Sequence, residues 1–586
     1  MRTINTERSL FMGHGHHHHH HEDMPQAAGD VPAVLDASIP DSELSPADVS
    51  RRGFLRRAGL LGAAAAAGGA LANAGIAHAH GDDDNHGGFD GFDRHGHGRP
   101  VSQNYKWLAG DHHIHTQYSS DAMYRVIDNV KHASAYGLDW MVITDHGSVN
   151  HAKIGVEKVN PQIREAREDF KDLLVFQGLE WNIPAAEHGT VFVHPGANEV
   201  AVLKEFENTF DGSVVGAVNP ANVTEALAIA GVKFLGEQVA KRRIQDALFL
   251  ANHPARNGID SPHEIRGWRD ANPKIAIGFE GAPGHQAAGF AVPNGGGSAR
   301  GFYGNSPNAN SFAGYPPESY RTWGGFDWMT STVGGLWDSL LAEGKSWSIT
   351  ANSDSHVVYG ETAKRPADSD FNKNGFHSDP VYGQPTSLTP GDFWPGYYSR
   401  THVGARNFGY AAVMEGLRAG RVWVDHGGLI SDLDVTVRPK GTPVGVTLGD
   451  SLVVRRGQSV ELVIKIQLAN TPNWANFIPT LARVDVIRGA VTGEVADKDS
   501  FKAPDTKVVK SFEVNKSTGT VSFTYDLGRV DQAFYVRVRG TDGNRTAPGY
   551  LGAAIDPVGP AIDVMGDADP WKDLWFYANP IWVYGK

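Results

Sequence analysis

Between residues 107 and 351, apolar runs short enough to be strands alternate with helical stretches, and histidines and carboxylates stand at or just past the run ends. Trp107 to His115, Asp139 to Thr144, Leu174 to Gly178, His188 to Val193, Ala247 to Asn252, Lys274 to Glu280 and Trp347 to Ala351 read as strands. Tyr124 to Tyr136, Pro161 to Leu173, Asn222 to Val232, Val239 to Gln245 and Ser331 to Glu343 read as helices. Repeated β-α units build a parallel sheet whose C-terminal strand ends carry the chemistry. Those ends bear Asp111-His112-His113-Ile114-His115, Thr144-Asp145-His146, Glu180, Asn252-His253-Pro254 and Ser353-Asp354-Ser355-His356, with His188 at the start of its run. Alternate residues of a strand share a face, so His113 and His115 aim at one point, where two imidazoles can hold one metal ion.

Composition narrows the chemistry. The chain has 586 residues, enough for two or more domains, and a net charge of −13 with histidine neutral, which gives nucleic-acid binding no electrostatic support. It contains no cysteine, so any metal is held by nitrogen and oxygen alone. Phosphate-loop and GxSxG patterns are missing from the sequence.

Residues 1–49 form a polar extension with a histidine run from His16 to His21, either a purification tag or a metal-scavenging tract. Residues 50–79 carry Ser50-Arg51-Arg52-Gly53-Phe54-Leu55 and then a mild Ala/Gly-rich stretch ending in A-x-A sites, the pattern of a twin-arginine signal peptide. The expectation is export through the twin-arginine machinery to a periplasmic or extracellular location, with no membrane span in the mature form. Residues 80–104, rich in Gly, Asp and His, read as a disordered leader. The α/β domain then runs over 105–429, with irregular insertions at 281–325 and 357–410 that read as surface loops, one of them a candidate lid. Tyr410 to Ala419 reads as a helix. From 430 to 586 short β-rich runs follow one another without a long helix, so an antiparallel β-sandwich is expected there, and it is expected to supply no metal ligand because no histidine lies beyond His426.

The ordered set HxH, TDH, Glu, His, HP and DxH resembles the PHP (polymerase and histidinol phosphatase) superfamily of metal-dependent hydrolases. The resemblance implies a distorted (β/α)7 PHP-type barrel, within an α/β fold class, followed by the β-sandwich. It further implies two or three divalent ions (Mn, Zn or Fe). His113, His115, Glu180 and Asp354 would hold the first, and Glu180, His188 and His253 the second, with Glu180 bridging. Asp121, His146 and His356 match the positions that hold a third ion in three-metal members or act on water and substrate in two-metal members. Glu180, Asp354, His146 and His356 are the implied catalytic residues. Asp111 and Asp145 are expected to orient neighbours, Asp111 by accepting the free N–H of a ligand. His151, Arg256 and His194 are candidates for binding substrate, His194 competing with His188 because their even spacing puts both on one face of a strand.

Glu415 to Arg421 and Ala578 to Val583 are similar to segments of carbaryl-hydrolase-type metallohydrolases. The implied activity is hydrolysis of a small organic ester, most simply a phosphomonoester or phosphodiester attacked by a metal-bridging hydroxide. Carbamate or carboxylic ester hydrolysis is an alternative, as is a secreted glycan- or cell-wall-binding protein with an inactive barrel. The complete ligand set argues against the last. Phe302-Tyr303 and Trp394 to Tyr398 are expected to grip the organic leaving group.

Overall fold

The strand-like runs assemble into one large mixed sheet, seen in a computed structural model that describes residues 105–216, 221–304, 306–544 and 569–586. The histidine run, the signal-peptide pattern and the leader lie outside the described residues. Among the described residues no helix is long and apolar enough to cross a membrane.

Strands β1 (Lys106–Asp111), β2 (Trp140–Ile143) and β3 (Leu174–Asn182) are parallel neighbours, as are β5 (Ala247–Ala251), β6 (Ala276–Ala282) and β7 (Ser348–Ala351). Just past the strand ends, a parallel bridge between Ile114 and Ser355 and a hydrogen bond from His112 N to Asn352 Oδ1 (2.9 Å) bring the first and last strands of this set together. The strands thus curl round and converge on the motif residues.

An all-parallel sheet is not what forms. β4 (His188–Val193) runs antiparallel to both β3 and β5. The cause is the five-residue connection 183–187, far too short for the crossover that a parallel pair needs. The reversal carries His188, at the start of its strand, to the same end as the other motifs.

The helices also depart from the sequence reading. Helix His151–Asp169 begins well before Pro161, because Ala152, Val156, Val159, Ile163 and Ala166 make one buried stripe across the proline. The two helices expected in 222–245 are one, Ala221–Ala240. Helices Glu199–Phe210 and Pro262–Ala271 were not anticipated; the first buries Val202, Leu203, Phe206 and Phe210, and the second is capped by Ser261 in a capping box with Glu264.

The segment 281–325 is irregular but is not a surface loop: Gln286, Arg300, Tyr303, Tyr320 and Trp323 are buried. Its backbone is satisfied by short 3-10 turns and by side chains, as where the Gln286 amide donates to Pro283 O (2.7 Å) and Gly325 O (3.0 Å). The end of the other insertion is a strand, β8 (Ser399–Ala405), antiparallel to β1 and to β9 (Val422–His426). Helix Tyr410–Arg418 joins the two.

Beyond β9 the β-rich runs pack as two layers. β10 (Ile430–Pro439), β12 (Ser459–Leu468) and β15 (Thr520–Arg529) form a separate antiparallel sheet. The facing layer holds β11 (Ser451–Val454), β13 (Arg483–Ala490), β14 (Lys507–Glu513), β16 (Phe534–Thr541), β17 (Trp575–Ala578) and β18 (Ile581–Gly585), and it is continuous with the central sheet through the β9–β17 pair. Alternating residues, such as Val435 and Val437 on β10 and Val536 and Val538 on β16, fill the space between the layers. The sandwich was expected as a separate domain packed on the barrel; shared hydrogen bonds between β9 and β17 make its second layer an extension of the central sheet.

A buried polar contact reinforces that junction. Asp338, on helix Leu336–Ala342, accepts hydrogen bonds from Arg537 Nε (2.9 Å) and Nη2 (2.7 Å) on β16, with both side chains fully buried and the guanidinium 4.5 Å from the Trp337 ring centroid. Removing one partner strands a buried charge, so Asp338→Ala is expected to cost about 3–5 kcal/mol in chemical denaturation. The double change Asp338→Leu with Arg537→Met is expected to cost clearly less. Equal losses in the two proteins would show that the carboxylate is not what makes the junction sensitive.

Candidate metal centre

Glu180, near the end of β3, is the hub of a buried polar cluster. Its Oε1 lies 3.0 Å from His113 Nε2, 3.2 Å from His188 Nδ1 and 3.4 Å from His253 Nε2. Its Oε2 lies 2.8 Å from His146 Nδ1 and 3.4 Å from His115 Nε2. The two oxygens of one carboxylate therefore serve two different sets of imidazoles. Asp354 Oδ1 stands between the two sets, 3.1 Å from His113 Nε2 and 3.2 Å from His115 Nε2. At the rim, the Nε2 atoms of His146 and His356 face each other at 3.2 Å, with Asp121 Oδ2 3.3 Å from the former and Oδ1 3.6 Å from the latter. The Asp121 side chain is 57% exposed, so this end of the cluster opens to solvent.

Several of these groups are unsatisfied without a further partner. His115 Nε2, His188 Nδ1, His253 Nδ1, Glu180 Oε2 and Asp354 Oδ1 are buried and make no hydrogen bond. Each orphan of this kind costs about 1–3 kcal/mol, and a cluster of them facing inward fits cations rather than a packed core. Donor atoms from His113, His115 and Asp354, from His146, Glu180 and His188, from Glu187, His188 and His253, and from His115, His146 and His356 each fall within 4.8 Å of one another. Nitrogen and carboxylate donors of this kind suit zinc, manganese or iron.

The surrounding residues orient the donors. Glu280 Oε1 is 2.7 Å from His113 Nδ1, and its Oε2 accepts from His253 N (2.9 Å). The Asn252 amide donates to Glu180 Oε1 (2.9 Å). His115 Nδ1 is 2.9 Å from Ser119 Oγ, which donates to Asp145 Oδ1 (2.8 Å), so Asp145 orients a neighbour through a relay. Asp111 does something other than expected: it accepts the backbone N–H groups of His113 (3.0 Å) and Ser353 (3.0 Å), tying two motifs together, while Glu280 takes the imidazole. Burial pushes the Asp111 carboxyl up to about 7 against these hydrogen bonds.

Burial disfavours ionisation of Glu180 and Asp354, yet neighbouring imidazoles, His113 foremost in both cases, hold both well below the usual carboxylate range. The imidazoles respond in kind. Burial opposes the charged form of His113, but Asp354, Glu180 and Glu280 outweigh it and push its pKa well up. His146 is likewise pushed well up by Glu180 and Asp121 against its burial, and His188 is raised by Glu180.

The three residues singled out for substrate are placed differently. His194 lies six positions beyond His188, past the other end of β4, about 20 Å away at strand rise. Even spacing put the two histidines on one face but said nothing of the strand's ends; His194 lines a surface cavity of about 420 Å³ with Asn198, Arg242 and Arg243. His151 is buried in its helix with Nδ1 2.8 Å from Glu207 Oε1, out of reach of a ligand. Arg256 stays near the cluster, half-buried on the turn after His253. Among the aromatics, Tyr303, Trp394 and Tyr398 are core residues, whereas Phe302 is 39% exposed with its ring 4.8 Å from that of His285.

His285 and Asp392 were not singled out by sequence, yet His285 Nε2 lies 2.8 Å from Asp354 Oδ2. Glu187, Glu280 and Asn352 were not singled out either, and Asn252 was read only as the neighbour of His253. Glu280 had a visible signal, a carboxylate near the end of an apolar strand just like Glu180; His285 and Asp392, in irregular segments, had none.

Residues 111–249 match the PHP domain family. No curated protein matches the chain. Among solved structures, the chain is similar to a two-domain protein from Bacteroides vulgatus described as containing a predicted PHP-like metal-dependent phosphoesterase, with 15% identity, coverage of 80% of this chain and 100% of that chain, and a TM-score of 0.28.

Proposed function

We propose that the protein is a metal-dependent hydrolase of phosphoesters. The PHP match over 111–249 supports this, and one observation carries it: the Glu180 carboxylate sits among five imidazoles, Oε1 beside those of His113, His188 and His253 and Oε2 beside those of His115 and His146, with Asp354 Oδ1 beside His113 and His115, while His115 Nε2, His188 Nδ1, Glu180 Oε2 and Asp354 Oδ1 make no hydrogen bond. Two or three divalent ions held there would supply Lewis acidity and a water acidified toward neutrality. His113, His115, Glu180 and Asp354 would hold the first ion, Glu180, His188 and His253 the second, and Asp121, His146 and His356 an exposed third. Glu280 and the Ser119–Asp145 relay keep the imidazoles of His113 and His115 in their ligating orientation. If only two ions are held, His146 and His356, at the open edge, would instead be free to pass a proton to a departing oxygen.

A phosphoryl group suits neighbouring cations because its non-bridging oxygens can span them. Phe302, exposed beside the cluster, gives an organic leaving group an apolar surface, and half-buried Arg256 is the nearest of the proposed substrate residues for an anionic group. The twin-arginine pattern at 50–79 supports export, so the substrate would be met outside the cytoplasm.

The test is a panel of aryl phosphomonoester, aryl phosphodiester, aryl carbamate and aryl acetate, offered to the manganese- or zinc-loaded protein. Cleavage of a phosphoester with the highest kcat/KM is the expected result. A carbamate or acetate favoured by about tenfold or more, equivalent to about 1.4 kcal/mol in barrier, would replace the phosphoesterase reading with carbamate or carboxylic ester hydrolysis.

A further inference from the structure

Asp354 presents one oxygen to the imidazoles of His113 and His115 and the other to a histidine outside the expected ligand set. His285 follows β6 in the first irregular segment, and its Nε2 lies 2.8 Å from Asp354 Oδ2. Its Nδ1 hydrogen-bonds Asp392 Oδ1, from the second irregular segment. The other Asp392 oxygen accepts the backbone N–H groups of His356 (2.6 Å) and Val357 (2.8 Å). One imidazole is thus fixed between two carboxylates, and the second carboxylate also ties down the backbone of the last motif. All three side chains are buried.

The backbone is arranged to allow this contact. His285 has φ 53° and Asp354 has φ 48°, the left-handed region that costs a non-glycine residue about 1–3 kcal/mol and persists only where the surroundings enforce it. Between them, Gly284 passes so close to the Ser353–Asp354 backbone that a Cβ there would lie 2.2 Å from Asp354 Cβ and 2.3 Å from Ser353 O. Only a glycine lets the segment approach near enough for His285 to reach the carboxylate.

We propose that His285, braced by Asp392, is a positioning residue that fixes the Asp354 carboxylate so that Oδ1 alone serves as a metal donor. The proposal rests on the metal-centre reading above. A carboxylate with both oxygens free can rotate or bind through both. Here Oδ2 is occupied by His285, and Oδ1, which makes no hydrogen bond, is left 3.1 Å from His113 Nε2 and 3.2 Å from His115 Nε2. His285 thus does for Asp354 what Glu280 does for His113. The two irregular segments, which share no sequence pattern with the strand-end motifs, supply the brace for the last ligand.

The experiment is a competition of the full chain against a zinc chelator, comparing the parent with His285→Ala, His285→Gln and Gly284→Ala, alongside the melting temperature of each zinc-free protein. Glutamine keeps an N–H donor near the position of Nε2. His285→Ala is expected to weaken one zinc by about tenfold or more, the range typical for loss of a ligand's outer partner, while His285→Gln stays within about threefold of the parent. Gly284→Ala, which displaces the segment without altering the imidazole, is expected to weaken the same zinc and covers the case in which His285→Ala does not fold. The proposal is overturned if His285→Ala, or Gly284→Ala where His285→Ala does not fold, binds as tightly as the parent. It is overturned equally if His285→Gln is as weak as His285→Ala or loses a whole ion, which would make the imidazole itself a ligand. If the chain with alanine at both His113 and His115 binds as many zinc ions as the parent and as tightly, the metal-centre reading is contradicted, and this proposal with it; zinc held by the histidine run at His16 to His21 is common to both proteins and cancels in the comparison.

Discussion

Glu180→Gln is expected to lower kcat/KM by about a hundredfold or more, close to 2.7 kcal/mol in barrier, in a protein that still folds. The amide keeps the shape of the side chain but carries no charge and offers only one oxygen. Glu180 uses both, with Oε1 facing His113, His188 and His253 and Oε2 facing His115 and His146. Losing either face separates the two sets of imidazoles, so the substitution should loosen more than one ion. Arg256→Ala provides the comparison: the arginine stands beside the cluster rather than in it, and its loss is expected to fall mainly on KM. Parallel measurement of kcat/KM and of zinc content on both variants checks this. Turnover by Glu180→Gln within a few-fold of the parent would show that the carboxylate is not the bridge.

Acidification is expected to strip the ions, and their binding to release protons. In the protein without bound ions, burial opposes the imidazolium form of His113, His146 and His188, but the carboxylates around them raise all three pKa values above the ordinary imidazole value. A raised pKa means the proton is held through neutral pH, and a cation must displace it. Apparent affinity therefore climbs as pH rises through and above the usual histidine range and falls as pH drops. His115 has the opposite tendency, its pKa pushed well down by burial and by His356 and His146, so it contributes no proton near neutrality. Titration calorimetry with zinc, in buffers of different ionisation enthalpy, is expected to give release of more than one proton per chain near neutral pH. Release of none would mean that the imidazoles are not the ligands.

Much of this centre could be read from residue types and order, because the strand-end motifs are local and each strand delivers its own donor. His113, His115, His146, Glu180, His188, His253 and Asp354 all reach the cluster, and each sits at or near the end of an apolar run. Strand direction was legible too: the short link 183–187 forbids a crossover, and weighing it would have placed His194 at the far end of β4. Helix Glu199–Phe210 could have been found from the spacing of Val202, Leu203, Phe206 and Phe210. The His285–Asp392 pair is different in kind. Its members stand 107 positions apart in segments without periodicity, and their meeting depends on a backbone approach at Gly284 that no local pattern encodes. The fusion of the facing β-layer with the central sheet is likewise a long-range pairing, of β9 with β17, that strand propensity alone does not specify.

The central claim is that Glu180 joins two cation positions, and anomalous scattering from zinc-loaded crystals of the full chain tests it most directly, since it separates bound sites from any metal held by the histidine run at His16 to His21. The account predicts at least two anomalous peaks in the cluster, flanking Glu180, one also within ligand distance of His113, His115 and Asp354 and the other of His188 and His253. A single peak without Glu180 as a ligand, or none among these residues while zinc is present elsewhere in the crystal, would contradict it.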